Sequence, residues 1–138
     1  MVKKYYLDTS IWMDVYENRL GYGNEAIGHS ALKFLFDLLK GKSKVIITDM
    51  LVMELSKSYS LEQINGMFMP FRGVIEKVVV TGQQKEESKR IAKERNLPLG
   101  DVIHAVISRD NDLVLITRDN HFRKLQDICK HFRPEDLI

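Results

Sequence analysis

The sequence predicts an α/β domain of three layers, with a central parallel sheet of about four to five strands and helices on both faces. Short apolar runs occur at Tyr5–Leu7, Val45–Thr48, Val78–Val80 and Leu113–Ile116, and Ile128–Phe132 is a candidate edge strand. Such runs lack the polar alternation of a sheet with one wet face, so they suit strands buried on both sides. Helical patterns separate them, and parallel neighbours need crossover connections of that kind. At 138 residues and 44% hydrophobic content, one compact domain over residues 1–138 can bury a core without disulfides or metal staples.

The first strand, Tyr5–Leu7, ends in Asp8, and Ile11–Tyr16 then has the composition of a helix with Thr9 or Ser10 as N-cap. Gly21 and Gly23 mark a loop. From Glu25, the residues Ile27, Ala31, Phe34, Leu35 and Leu38 recur at helical spacing until Gly41. The β-branched run Val45–Thr48 is followed by a helix over Met50–Leu55, for which Asp49 is the expected N-cap. A helix over Leu61–Phe71 should stop around Pro70 and Gly73, and Val78–Val80 gives the third strand. Gln83–Arg95 is a polar helix whose charges, including Glu86 and Arg90, form a solvated face; Asn96 and Pro98 break it. Asp101 opens a helix that is apolar on more than one side and therefore buried. The strand Leu113–Ile116 runs into a turn at Thr117–Asn120 and a short helix at His121.

Composition excludes more than it names. The net charge is +2, and residues 1–80 carry 10 Lys+Arg against 9 Asp+Glu while residues 81–138 carry 11 against 10, so neither half is a basic tail or an acidic arm. Cys129 is the one cysteine, which excludes an internal disulfide and a cysteine zinc cage and fits a reducing compartment, with a cytoplasmic location expected. No apolar stretch approaches the roughly 20 residues of a membrane span. Asp8 and Asp14 interrupt any signal-like segment after Lys3-Lys4.

Chemistry is concentrated in four acids. Ligands in parallel α/β sheets bind outside the carboxyl ends of the strands. Asp8 and Asp119 each follow a strand, Glu54 sits on the first turns of a helix that follows one, and Asp101 leads a helix after the Pro98-Leu99-Gly100 turn. Taken singly, each acid also suits a cap or a turn. Brought together they would repel one another, and one or two divalent cations with oxygen ligands, Mg²⁺ or Mn²⁺, are the simplest compensation. Zinc fits less well, since no histidine pair has ligand spacing; His104 suits a core or supporting position. Lys3, Lys4, Lys40, Lys42 and Lys44 stand at strand beginnings, on the opposite rim, which leaves Arg118, beside Asp119, as the expected contact for a phosphate. Neither a glycine-rich nucleotide motif nor the Asp pair of a receiver-type domain is present.

Leu7-Asp8-Thr9-Ser10, Glu54 within Leu51–Leu55, Asp101 within Leu99–Ala105, and Ile116–Phe122 resemble, in that order, the motifs of the PIN-domain ribonucleases. The resemblance spans the chain and implies a Rossmann-like PIN fold, metal-dependent endonuclease activity on RNA and likeness to VapC-type toxins. By the same resemblance Asp8, Glu54, Asp101 and Asp119 form the catalytic and metal-binding quartet, supported by Thr9, Ser10, Thr117 and Asn120. His121 stands where some members carry a further acid. A small antitoxin protein and a homodimer are the partners so implied, while a housekeeping RNA-processing nuclease and a non-catalytic RNA- or protein-binding scaffold are the alternatives.

Overall fold

A computed structural model describes residues 2–137. Its sheet has five parallel strands in the order β3-β2-β1-β4-β5: β1 (Lys4–Leu7), β2 (Lys44–Thr48), β3 (Ile75–Val78), β4 (Val114–Ile116) and β5 (His131–Phe132). β1 is central, with Tyr6 opposite Ile46 on one side and Leu115 on the other. Consecutive strand residues point to opposite faces. Tyr6 and Leu7 are both fully buried, as are Val45 and Ile46, so both faces of the sheet are covered and the domain has three layers.

The helices are α1 (Thr9–Glu17), α2 (Ile27–Leu39), α3 (Asp49–Leu55), α4 (Leu61–Phe68), α5 (Gly82–Arg95) and α6 (Leu99–Asp110). Short 3-10 helices cover Met69–Val74, Asn120–Leu125 and Pro134–Leu137. α1 packs with α2 and α5 with α6. Gly28 makes the first pairing possible: a Cβ there would collide with the Asp14 carbonyl and lie 2.8 Å from the Arg19 backbone nitrogen, so only glycine lets α2 start against the end of α1. α6 is apolar nearly all round, and every residue from Val102 to Ser108 is buried.

Several local expectations are corrected. The N-cap of α1 is Asp8 rather than Thr9 or Ser10, because its Oδ1 accepts from the Ile11 N–H at 3.2 Å while both hydroxyls turn to carboxylates. Thr48, not Asp49, caps α3; Asp49 instead accepts from the Val80 N–H at 3.0 Å and ties that connection to β2. That bond accounts for the third strand lying earlier than predicted: Ile75–Val78 pairs with β2, and Val79 is exposed. The segment to Phe71 leaves α-helical geometry at Met69, next to Pro70, which lacks the N–H that an α-helix would use. α6 begins at Leu99, so Asp101 lies inside its first turn. β5 is confined to His131–Phe132. On α5 the ion pairs are Lys89–Glu86 and Arg90–Glu94, not Glu86–Arg90.

Candidate active site

Parallel pairing brings the ends of β1 and β4 to the same edge, with Leu7 opposite Ile116, so Asp8 and Thr117 become neighbours although 109 positions separate them. The Thr117 hydroxyl donates to Asp8 Oδ2 and accepts from the Asp119 N–H at 3.0 Å. Asp8 Oδ1 takes the Ser10 hydroxyl at 2.7 Å in addition to the Ile11 N–H. Only 5% of Asp8 is exposed, and burial pushes its carboxyl above the usual range against the pull of the Thr117 and Ser10 hydroxyls.

Glu54 is held from two sides. Its Oε1 accepts from Thr9 Oγ1 at 2.7 Å and from His104 Nε2 at 2.6 Å. Burial alone would raise its pKa, but the bond and charge of His104, with the Thr9 hydroxyl, leave it below the usual value. His104 is itself anchored, its Nδ1 lying 2.6 Å from the Tyr6 hydroxyl, which meets Thr48 Oγ1 at 2.8 Å. An ionised Glu54 can only accept, so the proton between the two lies on His104 Nε2. The histidine read from sequence as a supporting residue therefore closes a chain from the cap of α3 to the carboxylate on the same helix. Glu54 Oε2 faces Gly100, where a Cβ would come within 2.6 Å, so the glycine keeps that oxygen uncovered.

Asp101, Asp119 and His121 form the open half of the site. Each offers one ligand atom within 4.8 Å of the others, the one such metal-competent group of three or more among the described residues. His121 Nδ1 lies 3.0 Å from Asp101 Oδ2 and 2.8 Å from Asp119 Oδ1. Asp119 also caps its 3-10 turn by accepting from the His121 N–H at 2.8 Å, which fixes the spacing of the two side chains. Asp101 is pushed up to about 6, first by burial and then by the charge of Asp119, with Asp8 adding to the effect and His121 opposing it. His121 is pushed up, chiefly by its contact with Asp119. Crowded carboxylates beside an uncovered oxygen and an imidazole suit a hard or borderline divalent cation.

All four predicted acids thus lie at the same end of the sheet, but as two linked sets: Asp8 and Glu54 in hydrogen-bonded cradles, Asp101 and Asp119 around His121. Asn120 is exposed beside them. Arg118 is placed differently from the expectation of a phosphate contact: its two terminal nitrogens each sit 2.6 Å from Glu135, and Nε is 3.7 Å from Asp14 Oδ2. Its charge is therefore engaged by protein carboxylates. A cleft of about 760 Å³ adjoins the site, lined among others by Ser10, Asp14, Arg19, Asp119 and Asn120. Asp14 was not foreseen. It is buried, and pushed up to about 6 by that burial despite Arg118 and Arg19. Its place one helical turn after Ser10, on the same face of α1, was the available signal.

The model of the PIN domain family matches residues 5–128. The chain belongs to the PIN-domain family. Similar solved structures include a toxin–antitoxin complex from Klebsiella pneumoniae, with a TM-score of 0.66, 20% identity and coverage of 94% of this chain and 97% of that one. VapBC2 from Rickettsia felis, bound to a DNA fragment from its promoter, gives 0.65 at 18% identity, covering 93% and 98%. VapBC-1 from nontypeable Haemophilus influenzae gives 0.65 at 17% identity, covering 96% and 98%. At these identities the likeness is one of fold. No curated relative matches the sequence significantly. Among the described residues no helix of this PIN domain is long and apolar enough to cross a membrane.

Proposed function

We propose that this PIN domain is an endoribonuclease dependent on Mg²⁺ or Mn²⁺, one or two ions, and that it serves as the toxin of a toxin–antitoxin pair in the cytoplasm, paired with a small antitoxin protein and itself a homodimer. The observation that carries the reaction class is the grouping of Asp101, Asp119 and His121 beside the cradled Asp8 and Glu54. A scaffold without activity would be expected to have lost one of these acids. The similarity to a toxin–antitoxin complex and to two VapBC structures favours the toxin role over a housekeeping nuclease.

A divalent cation at these acids would neutralise charge on the scissile phosphate and lower the pKa of a nearby water. The protein's own part is positional. Asp101, Asp119 and His121 offer three ligand atoms on one wall. Asp8 is held by Ser10, the Ile11 N–H and Thr117, and the same threonine receives the Asp119 N–H, so both acids share one hydroxyl as a spacer. Glu54, ionised through His104 and Thr9, presents Oε2 as a proton acceptor for water. Water is the nucleophile proposed, since no pair of histidines stands ready to activate a ribose hydroxyl.

End-group analysis of cleaved RNA tests this. Cleavage with Mg²⁺ or Mn²⁺ but not in EDTA, leaving no cyclic phosphate, is expected. A 2′,3′-cyclic product, or full activity in EDTA, overturns the mechanism. Suppression of the activity by the product of a short neighbouring gene would support the toxin role, and cleavage unaffected by any such product would favour the housekeeping nuclease.

A further inference from the structure

We propose that the edge of the sheet opposite the acids is a second nucleic-acid surface, a row of cations that holds the phosphate backbone of a long RNA away from the point of cleavage. Because all five strands are parallel, their beginnings share one edge. Read across that edge from β3 to β5, the residues at or just before the strand starts are Arg72, then Lys42 and Lys44, then Lys3 and Lys4, and finally Lys130. The row is continuous at its centre, where Lys4 and Lys44 are register partners and the Lys44 N–H donates to the Lys3 carbonyl at 3.0 Å. Lys3, Lys42, Arg72 and Lys130 are exposed. Among the described residues, those four and Lys44 form no ion pair, while Lys4 meets Glu76 at 3.1 Å. Glu76 is matched by Lys4, so the anion left to interrupt the row is Asp112 before β4, which among the described residues forms no ion pair.

The cations of α5 make the contrast. There Lys89 and Arg90 lie beside Glu86 and Glu94, and Arg95 meets Asp127, so each of these three cations is balanced by a neighbouring acid. The amino edge repels itself, and a polyanion would relieve that repulsion while releasing its own counterions. Neighbouring strands are about 4.8 Å apart, so the row extends roughly 19 Å. At about 3.4 Å per nucleotide in a helical strand, that length meets five or six phosphates. Lysines used in this way position a backbone without reading its bases. The overall charge of +2 conceals the arrangement, because the acids of the candidate site balance it from the other edge.

The choice of RNA rests on the proposed function, and the test separates the two. A labelled RNA of several tens of nucleotides is titrated in EDTA, where cleavage is not needed, over a range of salt. The variant Lys3→Gln/Lys42→Gln/Lys130→Gln changes only exposed side chains, and its melting temperature is checked against wild type. Expected is a drop in affinity of about tenfold or more and a shallower salt dependence, by about 0.7 to 0.9 for each phosphate that is no longer neutralised. Lys89→Gln/Arg90→Gln/Arg95→Gln, with the same change of charge at the acid-balanced cations of α5, should have little effect. Asp112→Asn removes the interrupting anion at a left-handed position that asparagine tolerates, and should tighten binding several-fold. With metal, kcat/KM on a short oligonucleotide should be unchanged by the first variant. Equally weakened binding in both triple variants, unweakened binding in the first, or weakened binding to anionic vesicles with RNA binding intact each overturn the proposal. Failure of wild type to cleave RNA would remove the nuclease assignment and leave the binding comparison intact.

Discussion

Asp8 and Asp119 are the same residue type just beyond the ends of adjacent strands of one sheet, yet they have opposite surroundings. Asp8 is 5% exposed, and both its oxygens accept from protein donors. The Asp119 side chain is 33% exposed and turns to His121 and Asp101. What separates them is the chain that follows. α1 runs on from Asp8 for two and a half turns and seals it as a cap, whereas a short 3-10 helix of six residues follows Asp119 and leaves it open. The closed half of the site is structure that also carries charge, and the open half is charge with little structural duty.

The largest effects should divide along that line. Asp101→Asn and Asp119→Asn are each expected to lower metal-dependent cleavage at least about 100-fold, while the metal-free protein at neutral pH is as stable as wild type or more so, because a mutually repelling carboxylate has been removed. Asp8→Ala should lose activity and, in addition, about 2–4 kcal/mol of folding stability, having removed a helix cap and left the Thr117 and Ile11 donors without a partner. Urea unfolding beside a cleavage assay separates the classes. Equal stability of Asp8→Ala and Asp119→Ala would erase the distinction between the halves.

A smaller effect concerns metal and heat. With Mg²⁺ or Mn²⁺ at about 100 times its Kd, wild type should gain about 2.7 kcal/mol, because the ion binds only the folded chain. Thermal melts at matched ionic strength should show this shift reduced in Asp101→Asn. Glu54→Gln should lose turnover far beyond Glu76→Gln, whose carboxylate meets only Lys4 at the far edge. Comparable turnover in those two variants would remove Glu54 from the site.

The pH dependence is subtler. Asp101 has its folded pKa raised from 3.8 to about 6, so the folded protein holds this proton more tightly than the unfolded chain. Its contribution therefore favours folding below about pH 4 and is withdrawn as pH rises toward 6, by about 3 kcal/mol in all. The difference in stability between metal-free wild type and Asp101→Asn should fall across that window and flatten above it. Urea midpoints at a series of pH values check this. A flat difference would mean that burial and Asp119 do not act on Asp101 as described.

The layers, the parallel sheet and the alignment of the acids were legible from sequence because they follow from spacing. Near-continuous runs such as Val45–Ile47 fix a strand covered on both faces, and the acids that follow the runs at Tyr5–Leu7 and Leu113–Ile116 fix which edge they occupy. Caps and partners were less legible. Nothing in Asp8-Thr9-Ser10 says which residue caps α1, since all three can, and the choice was made by Glu54 drawing Thr9 away and Thr117 approaching Asp8. Arg118 next to Asp119 resembled a phosphate contact until Glu135, 17 positions on, occupied it. Such pairings depend on tertiary neighbours that local sequence does not name.

The bond between Thr117 and Asp8 joins the two ends of the chain's history. β1 is made first and must wait for β4, over 100 positions later, before its carboxylate gains the spacer that aligns Asp119. Closing a loop of that length is entropically late in folding. During synthesis this half of the site is therefore incomplete until most of the chain has emerged. Pulse-labelled hydrogen exchange would show this as protection at Asp8 and Ile116 arriving together, after that of the α1–α2 pair.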